Sequence, residues 1–235
     1  MISIVLPAYM ESDNLKNIIP AISRELQNID HEILVVDTME PMDDTESVCC
    51  SFGARCIRRR GGNNYGDAIR TGVEEAQGEC IVIMDADGSH NPNYIPSMYD
   101  VMKNKNCDLV IGSRYCKGGK TDNPAILRLM SYILNLVYRI VFGLKVKDVS
   151  NSFRMYKRDL LNQIKLECEN FDIVEELLVK LSLLCKPLNV CEVPIVFNKR
   201  DKGKSKRKLL KFIGSYLSTI KRLLRYKKEY KLHLK

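Results

Sequence analysis

The stretch Ile81-Val82-Ile83-Met84-Asp85-Ala86-Asp87-Gly88-Ser89-His90-Asn91-Pro92 decides how the chain is read. Four apolar residues in succession read as a strand buried on both faces, and two carboxylates follow where such a strand ends. Hard oxygen donors at a strand tip suit Mg²⁺ or Mn²⁺ held together with phosphates. The same Asp, Gly, Ser and Asn residues also suit a turn into a helix after Pro92. The choice between metal site and turn therefore rests on the surrounding segments.

Outward from this point, strand-like and helix-like patterns alternate. Residues 2–6, 32–36, 54–58, 80–84 and 108–111 read as strands, and 12–27, 43–52, 65–76 and 94–103 as helices. Such alternation predicts an α/β protein of right-handed βαβ units, with a mostly parallel sheet covered by helices on both faces. Ligands in that architecture sit beyond the carboxyl ends of the strands.

Each strand tip was read in that light. Pro7-Ala8-Tyr9-Met10-Glu11 follows the first strand. It lacks the glycines of a dinucleotide turn, which argues against a dehydrogenase; an aromatic face and a carboxylate suit a nucleobase and its polar edge. Asp37 after the second strand either accepts from a base or ribose or simply forms a turn. The run from Arg58 to Asp67 contains Gly61, Gly62 and Gly66 but no Walker lysine. The fifth strand ends in Gly112-Ser113-Arg114-Tyr115, where the planar fork of Arg114 either grips an anion or lies solvated on the surface.

The 235 residues, 45% hydrophobic and 28% charged, suffice for one large domain with an appendage. Nine cysteines form no CxxC pair and read as reduced cytosolic thiols. His31, His90 and His233 show no zinc-ligand spacing with them. The amino terminus begins in a strand-like run without a basic leader, and no apolar run reaches the roughly 18 to 20 residues that span a bilayer. The expectation is a soluble or peripheral protein.

Charge is unevenly placed. Residues 199–235 carry 15 lysines and arginines against 2 acidic residues, a net of +13, and the residues before them sum to −5. The domain expectation follows: a catalytic body over 1–198 and a basic loop with an amphipathic helix over 199–235. In that helix Leu209, Ile213, Tyr216, Leu217, Ile220 and Leu224 share one face, which suits an anionic membrane surface. Nucleic acid is disfavoured because the tail has no nucleic-acid fold and the body is acidic. A second amphipathic segment, 124–143, places Ile126, Leu129, Met130, Ile133, Leu136, Val137 and Ile140 on one stripe. A core helix is the default reading of that stripe; Leu127, Leu134 and Val141 off it also allow a helix resting in the bilayer interface. Residues 149–156 read as a polar loop running into structure, 171–184 as a helix with Glu175 and Glu176 in its first turns, and 189–197 as a last strand broken by Pro194 near a sheet edge.

Taken together, the chain resembles family 2 glycosyltransferases of the GT-A fold, most closely the dolichol-phosphate mannosyltransferase-like group. The resemblance runs from Ile2 to about Lys206 through Leu6-Pro7-Ala8-Tyr9-Met10-Glu11, Val35-Val36-Asp37, Tyr65-Gly66-Asp67-Ala68, Met84-Asp85-Ala86-Asp87, Ser89-His90-Asn91-Pro92, Gly112-Ser113-Arg114-Tyr115, Ser152-Phe153-Arg154 and Arg200-x-x-Gly203-x-Ser205-Lys206. It implies a Rossmann-like nucleotide-diphospho-sugar transferase fold. By that resemblance Pro7, Tyr9, Glu11 and Asp37 line the nucleotide pocket, and Asp85, Ala86, Asp87 and Ser89 surround the metal and diphosphate. Arg114 and Arg128 meet an acceptor phosphate, and Arg200 and Lys206 neutralise the donor diphosphate. The family pattern has Asn where Met10 stands, a second acid where Thr38 stands and Gly where Ser152 stands, and the loop 39–45 is one residue longer.

The implied activity is metal-dependent, inverting transfer of a hexose from a nucleotide-diphosphate sugar to a polyprenyl phosphate at the cytoplasmic membrane face, with Mg²⁺ or Mn²⁺ as cofactor. Two alternatives stand beside it. One is a transferase with a saccharide or other hydroxyl acceptor, for which Glu175 or Glu176 is the candidate base. The other is a catalytically weak membrane-bound subunit that binds nucleotide-sugar or a membrane-protein partner.

Overall fold

The computed structural model describes residues 1–198 and 209–233. In chain order these form β1 (Ile2–Pro7), α1 (Ser12–Glu25), β2 (His31–Asp37), α2 (Thr45–Ser51), β3 (Arg55–Arg58), α3 (Tyr65–Glu75) and β4 (Cys80–Ile83). A short 3₁₀ turn at Pro92–Tyr94 leads into α4 (Ile95–Asn104), followed by β5 (Leu109–Ser113), β6 (Lys120–Thr121), α5 (Ala125–Phe142), β7 (Arg154–Lys157), α6 (Arg158–Leu161), α7 (Ile173–Leu184), β8 (Val190–Pro194), β9 (Val196–Phe197) and α8 (Leu209–His233).

The main sheet has the order β3-β2-β1-β4-β7-β5-β8, and β6 pairs with β9 in a second, two-stranded sheet. Strands β3, β2, β1 and β4 are parallel, so the chain winds outward from β1 through β2 to β3 and then returns to β1's other side as β4. That reversal is the topological switch point at which open α/β sheets bind ligands. Period-two alternation divides the strands between two cores. Val5, Ile81, Ile83, Leu109 and Ile111 pack with α3 and α7, while Ile4, Leu6, Val82 and Val110 pack with α1 and α4. Helices thus cover both faces, as apolar strands require.

One strand departs from expectation. β7 runs antiparallel between β4 and β5, where residues 149–156 were expected as a polar loop running into structure. Its sequence, Arg154-Met155-Tyr156-Lys157, has a charge at either end, yet Arg154 is wholly buried. The backbone carbonyls of Val149, Asn151 and Val174 accept from its guanidinium and replace the water it loses. The expected last strand is two, because Pro194 ends β8 at the sheet edge and β9 turns away to pair with β6.

α5 reverses the default reading of its apolar stripe. Ile126, Leu129, Ile133, Leu136 and Ile140 are exposed, together with Leu127 and Tyr132. The face against the body is instead carried by Asn135, Tyr138 and Phe142. Among the described residues this is the one helix long and apolar enough to cross a membrane, with a mean hydropathy of 1.5 over its 18 residues, a threshold the sequence reading placed out of reach.

α8 turns one face to the body. Tyr216, Thr219 and Leu223 are buried, and Ile220, Tyr226 and Tyr230 pack against the same core as α7. The Lys227 ammonium reaches the Val141 carbonyl and the Phe142 ring at the end of α5. Leu217 and Leu224, expected on the same apolar face, are exposed; the side chains of Leu209 and Ile213 lie outside the described residues. The cysteines correct the expectation of reduced thiols throughout, since Cys107 and Cys191 are disulfide-bonded. Cys107 lies just before β5 and Cys191 lies within its parallel neighbour β8, which puts their Cα atoms 6.2 Å apart, inside the range a disulfide spans.

Candidate functional site

The carboxyl ends of β1, β2, β4 and β5 lie along one edge of the sheet, and the Asp85–Asp87 turn follows β4 there. Asp87 is buried, and its Oδ1 accepts from the Ser89 backbone N–H at 3.0 Å and the Ser89 hydroxyl at 2.5 Å. Asp85 is held from two sides. The Tyr65 hydroxyl donates to Oδ1 and the Ser152 hydroxyl to Oδ2, each at 3.0 Å. Ala86 between them is buried and points its methyl into the core of α1 and α4.

Neighbouring elements fix this turn. The Asp85 N–H donates to His90 Nδ1 at 3.1 Å, so His90 carries its proton on Nε2 and donates it to Asn151 Oδ1. Asn151 in turn donates to the Gly112 carbonyl at the end of β5. The imidazole stacks on Phe153 with centroids 5.0 Å apart. His90 and Asn151 thereby lock the tips of β4, β5 and β7 together; in the sequence His90 stood in the Ser89-His90-Asn91-Pro92 motif with no role assigned and without zinc-ligand spacing. Tyr65 is placed by Gly66, whose N–H donates to the Glu169 carbonyl at 2.7 Å. A Cβ on Gly66 would lie 2.1 Å from the Cys168 carbonyl oxygen, so only glycine allows α3 to start there. Tyr65 then stacks on Phe171 at 4.3 Å.

At the first two strands, Pro7 and Ala8 are buried and Tyr9 and Met10 exposed, and Glu11 accepts from the Asn14 amide at 2.6 Å. Asp37 is only 1% exposed, and its Oδ2 accepts from Arg58 at 2.6 Å. Thr38 is buried and donates to the Glu40 carbonyl. Arg59 reaches the carbonyls of Ala8, Asn63 and Asn64, tying the β1 loop to the loop before α3. Arg58 and Arg59 belong to the run that gave a weak glycine-loop signal; Asp37 and Ala8, which they bind, stand 21 and 51 residues away.

Arg114 is not the solvated surface residue that was one of its two readings. It is buried, with Nε and Nη2 on the two oxygens of Asp148 at 2.8 and 2.7 Å. Burial disfavours its charge, but the Asp148 carboxylate outweighs that and raises its pKa above the ordinary arginine value. Its Nη2 also donates to Ser131 and Ser150, which joins the second turn of α5 to the β5 tip. Arg128, one turn of α5 away from Ser131, is exposed and forms no ion pair among the described residues. Glu175 is buried. Glu176 is bound to the Lys180 ammonium at 2.8 Å and to the N–H groups of Glu167 and Cys168. Burial raises its pKa, but the Lys180 ammonium and the Cys168 hydrogen bonds together outweigh that, and its carboxyl stays below the ordinary range. Glu176 is therefore a committed structural anion rather than the base it was a candidate for. Arg200 and Lys206 lie outside the described residues.

Among the described residues, no three His, Cys, Asp or Glu side chains converge as an all-protein metal cage would need. Mg²⁺ bound with phosphates takes only one or two carboxylates and fills its shell from phosphate and water. The Asp87 carboxylate, fixed by Ser89 at a strand tip, fits that use. Asp85, with a hydroxyl on each oxygen, fits a positioning role, and the Ser89 hydroxyl is engaged as a donor to Asp87.

A mostly parallel sheet with its acidic turn at the switch point defines the GT-A class of nucleotide-diphospho-sugar transferases. The family model described as Glycosyl transferase family 2 matches residues 3–165, and the chain belongs to that family. It is 34% identical to a dolichol-phosphate mannosyltransferase of Pyrococcus furiosus, over 97% of this chain and 65% of that protein. It therefore spans just under two-thirds of that relative. An undecaprenyl-phosphate mannosyltransferase of Micrococcus luteus is 31% identical over 86% of this chain and 85% of its own length. In fold, the chain is similar to glucosyl-3-phosphoglycerate synthase from Mycobacterium tuberculosis, solved with Mn²⁺, UDP and phosphoglyceric acid. The TM-score is 0.73 at 20% identity, covering 97% of this chain and 78% of that one.

Proposed function

We propose that the chain transfers a hexose, with inversion, from a nucleotide-diphosphate sugar to a polyprenyl phosphate, working peripherally at the cytoplasmic membrane face. The observation that carries this reading is α5. Its inner face is held to the strand tips through Ser131 and Arg114, while its outer face presents Ile126, Leu129, Ile133 and Ile140. An apolar helix face leading away from an anion-handling site suits an acceptor that is phosphate at one end and hydrocarbon at the other. Because Asn135 and Tyr138 bind the opposite face to the body, α5 rests along the interface rather than crossing it. The relatives' names, which specify dolichol and undecaprenyl phosphate, support the same acceptor class.

In this reading the nucleotide lies over the ends of β1 and β2, with Pro7, Tyr9, Glu11 and Asp37 around it, and its diphosphate reaches the Asp85–Asp87 turn. A divalent ion, Mg²⁺ or Mn²⁺, supplies charge neutralisation for the leaving phosphate when bound. Asp87 holds it, Ser89 fixes the rotamer of Asp87, and Asp85 is kept in register by Tyr65 and Ser152. Arg200 and Lys206 add positive charge to the diphosphate. Arg128 receives the acceptor phosphate; Arg114, neutralised by Asp148, positions α5. The acceptor phosphate has a second pKa near about 6, so it is already a nucleophile at neutral pH and needs no general base. The commitment of Glu176 to Lys180 accords with that.

The test is incubation with a panel of nucleotide-sugars, Mg²⁺ or Mn²⁺ and a short-chain polyprenyl phosphate. A lipid-linked sugar is the expected product. Transfer only to hydroxyl acceptors would overturn the acceptor assignment.

A further inference from the structure

Met10 has φ 57°, in the left-handed region that a non-glycine residue enters at a cost. Asparagine tolerates that conformation and methionine gains nothing locally from it. The Met10 side chain is nonetheless 51% exposed, so packing does not explain its retention. Strain held at a surface loop beyond a strand tip points to use.

Met10 has company. Met39 and Met42 are 48% and 44% exposed, and Tyr9 beside Met10 is 36% exposed. The β1–β2 register makes Pro7 the partner of Val36, so Met10 and Met39 each stand three residues beyond paired positions on adjacent strands. The Ser12 N–H donates to Asp43 Oδ2 at 2.9 Å, which draws the loop bearing Met42 against the end of the Met10 loop. The polar side chains at these strand ends are already engaged by the protein: Asp37 Oδ2 accepts from Arg58, and the Thr38 hydroxyl donates to the Glu40 carbonyl.

We propose that Met10, Met39 and Met42 form a thioether rim that grips the nucleobase through sulfur and methyl contacts with its ring, and that the strained Met10 backbone aims one of those contacts. The proposal rests on the nucleotide reading given above. Thioethers are polarisable and conform to flat aromatic rings, giving affinity without a fixed donor and acceptor pattern. The rim accordingly accepts the ring face, and discrimination between bases is weak.

Calorimetric titration of the full chain in Mg²⁺ tests this with UDP, GDP and, as a base-free control, inorganic pyrophosphate. Met10→Asn relieves the strain and removes the thioether. The expected result is a ligand-free Tm raised by about 2 to 4 °C, a nucleotide Kd raised about three- to tenfold, and pyrophosphate binding unchanged. Met39→Gln, which keeps chain length, should weaken nucleotides without the gain in Tm. Unchanged nucleotide affinity in both variants, or an equal loss for pyrophosphate, would overturn the rim while leaving the nucleotide site standing. Failure of the unsubstituted protein to bind either nucleotide would overturn both.

Discussion

Arg114 and Asp148 form a two-point ion pair with the carboxylate wholly enclosed and the guanidinium only 7% exposed. Asp148 is itself positioned from the sheet edge, since Glu192 of β8 accepts from the N–H groups of Lys147 and Asp148. Asp148→Asn leaves a buried guanidinium without its counter-charge, and removing one partner of such a pair costs about 3 to 5 kcal/mol. Urea denaturation should show a lower midpoint of that size; an unchanged midpoint would contradict the structural role.

Asp87→Asn keeps an acceptor oxygen for the Ser89 N–H and hydroxyl, so the turn should survive. In the proposed function, what is lost is the charge that would hold a divalent ion against the diphosphate. Sugar transfer should fall by about 10²- to 10³-fold while thermal unfolding stays near that of the parent. Undiminished turnover in Mn²⁺ would remove Asp87 from the chemistry.

Glu176 gives the molecule an acid limit. Its folded pKa is depressed below the ordinary glutamate value of 4.5, so its contribution is complete above that value and is lost as pH falls through the folded one. Stability should therefore drop as pH falls below about 4.5. Glu176→Gln leaves the buried Lys180 charge only the half-exposed Glu167 carboxylate at 3.4 Å as counter-charge and should lower stability at pH 7 by on the order of 3 kcal/mol, with the gap to the parent narrowing as pH falls. Parallel pH profiles for the two proteins would rule this out.

Ile133 and Ile140 on α5 are 52% and 73% exposed. Replacing both with glutamine should change folding stability by less than about 0.5 kcal/mol per site, yet reduce sedimentation with anionic lipid vesicles. Retained sedimentation would sever α5 from membrane binding.

The strands were legible where burial on both faces writes a run of apolar residues, as in β1, β2, β4 and β5. The acidic turn was legible because its position follows from the strand before it. β7 was not, because Arg154 satisfies its charge with carbonyls of the preceding loop and of α7, and the type of a residue does not show what its neighbours' backbones accept. α5 misled for a physical reason: an apolar stripe records exclusion from water, not which neighbour does the excluding, and here Asn135 and Tyr138 form the inner face. Arg114 looked available because its partner stands 34 residues away. The Glu176–Lys180 pair, by contrast, had a readable signal in its i,i+4 spacing.

The link between Cys107 and Cys191 closes a ring with a sequence separation of 84. β5, β6, α5, β7, α6 and α7 all lie within it, so the segment bearing α5 is a covalent loop on the rest of the chain. A single proteolytic nick inside that loop opens the ring without releasing a fragment. The nicked protein should run as one species without reductant and as two with it, and α5 can be cut while both ends of its segment stay fastened to the sheet.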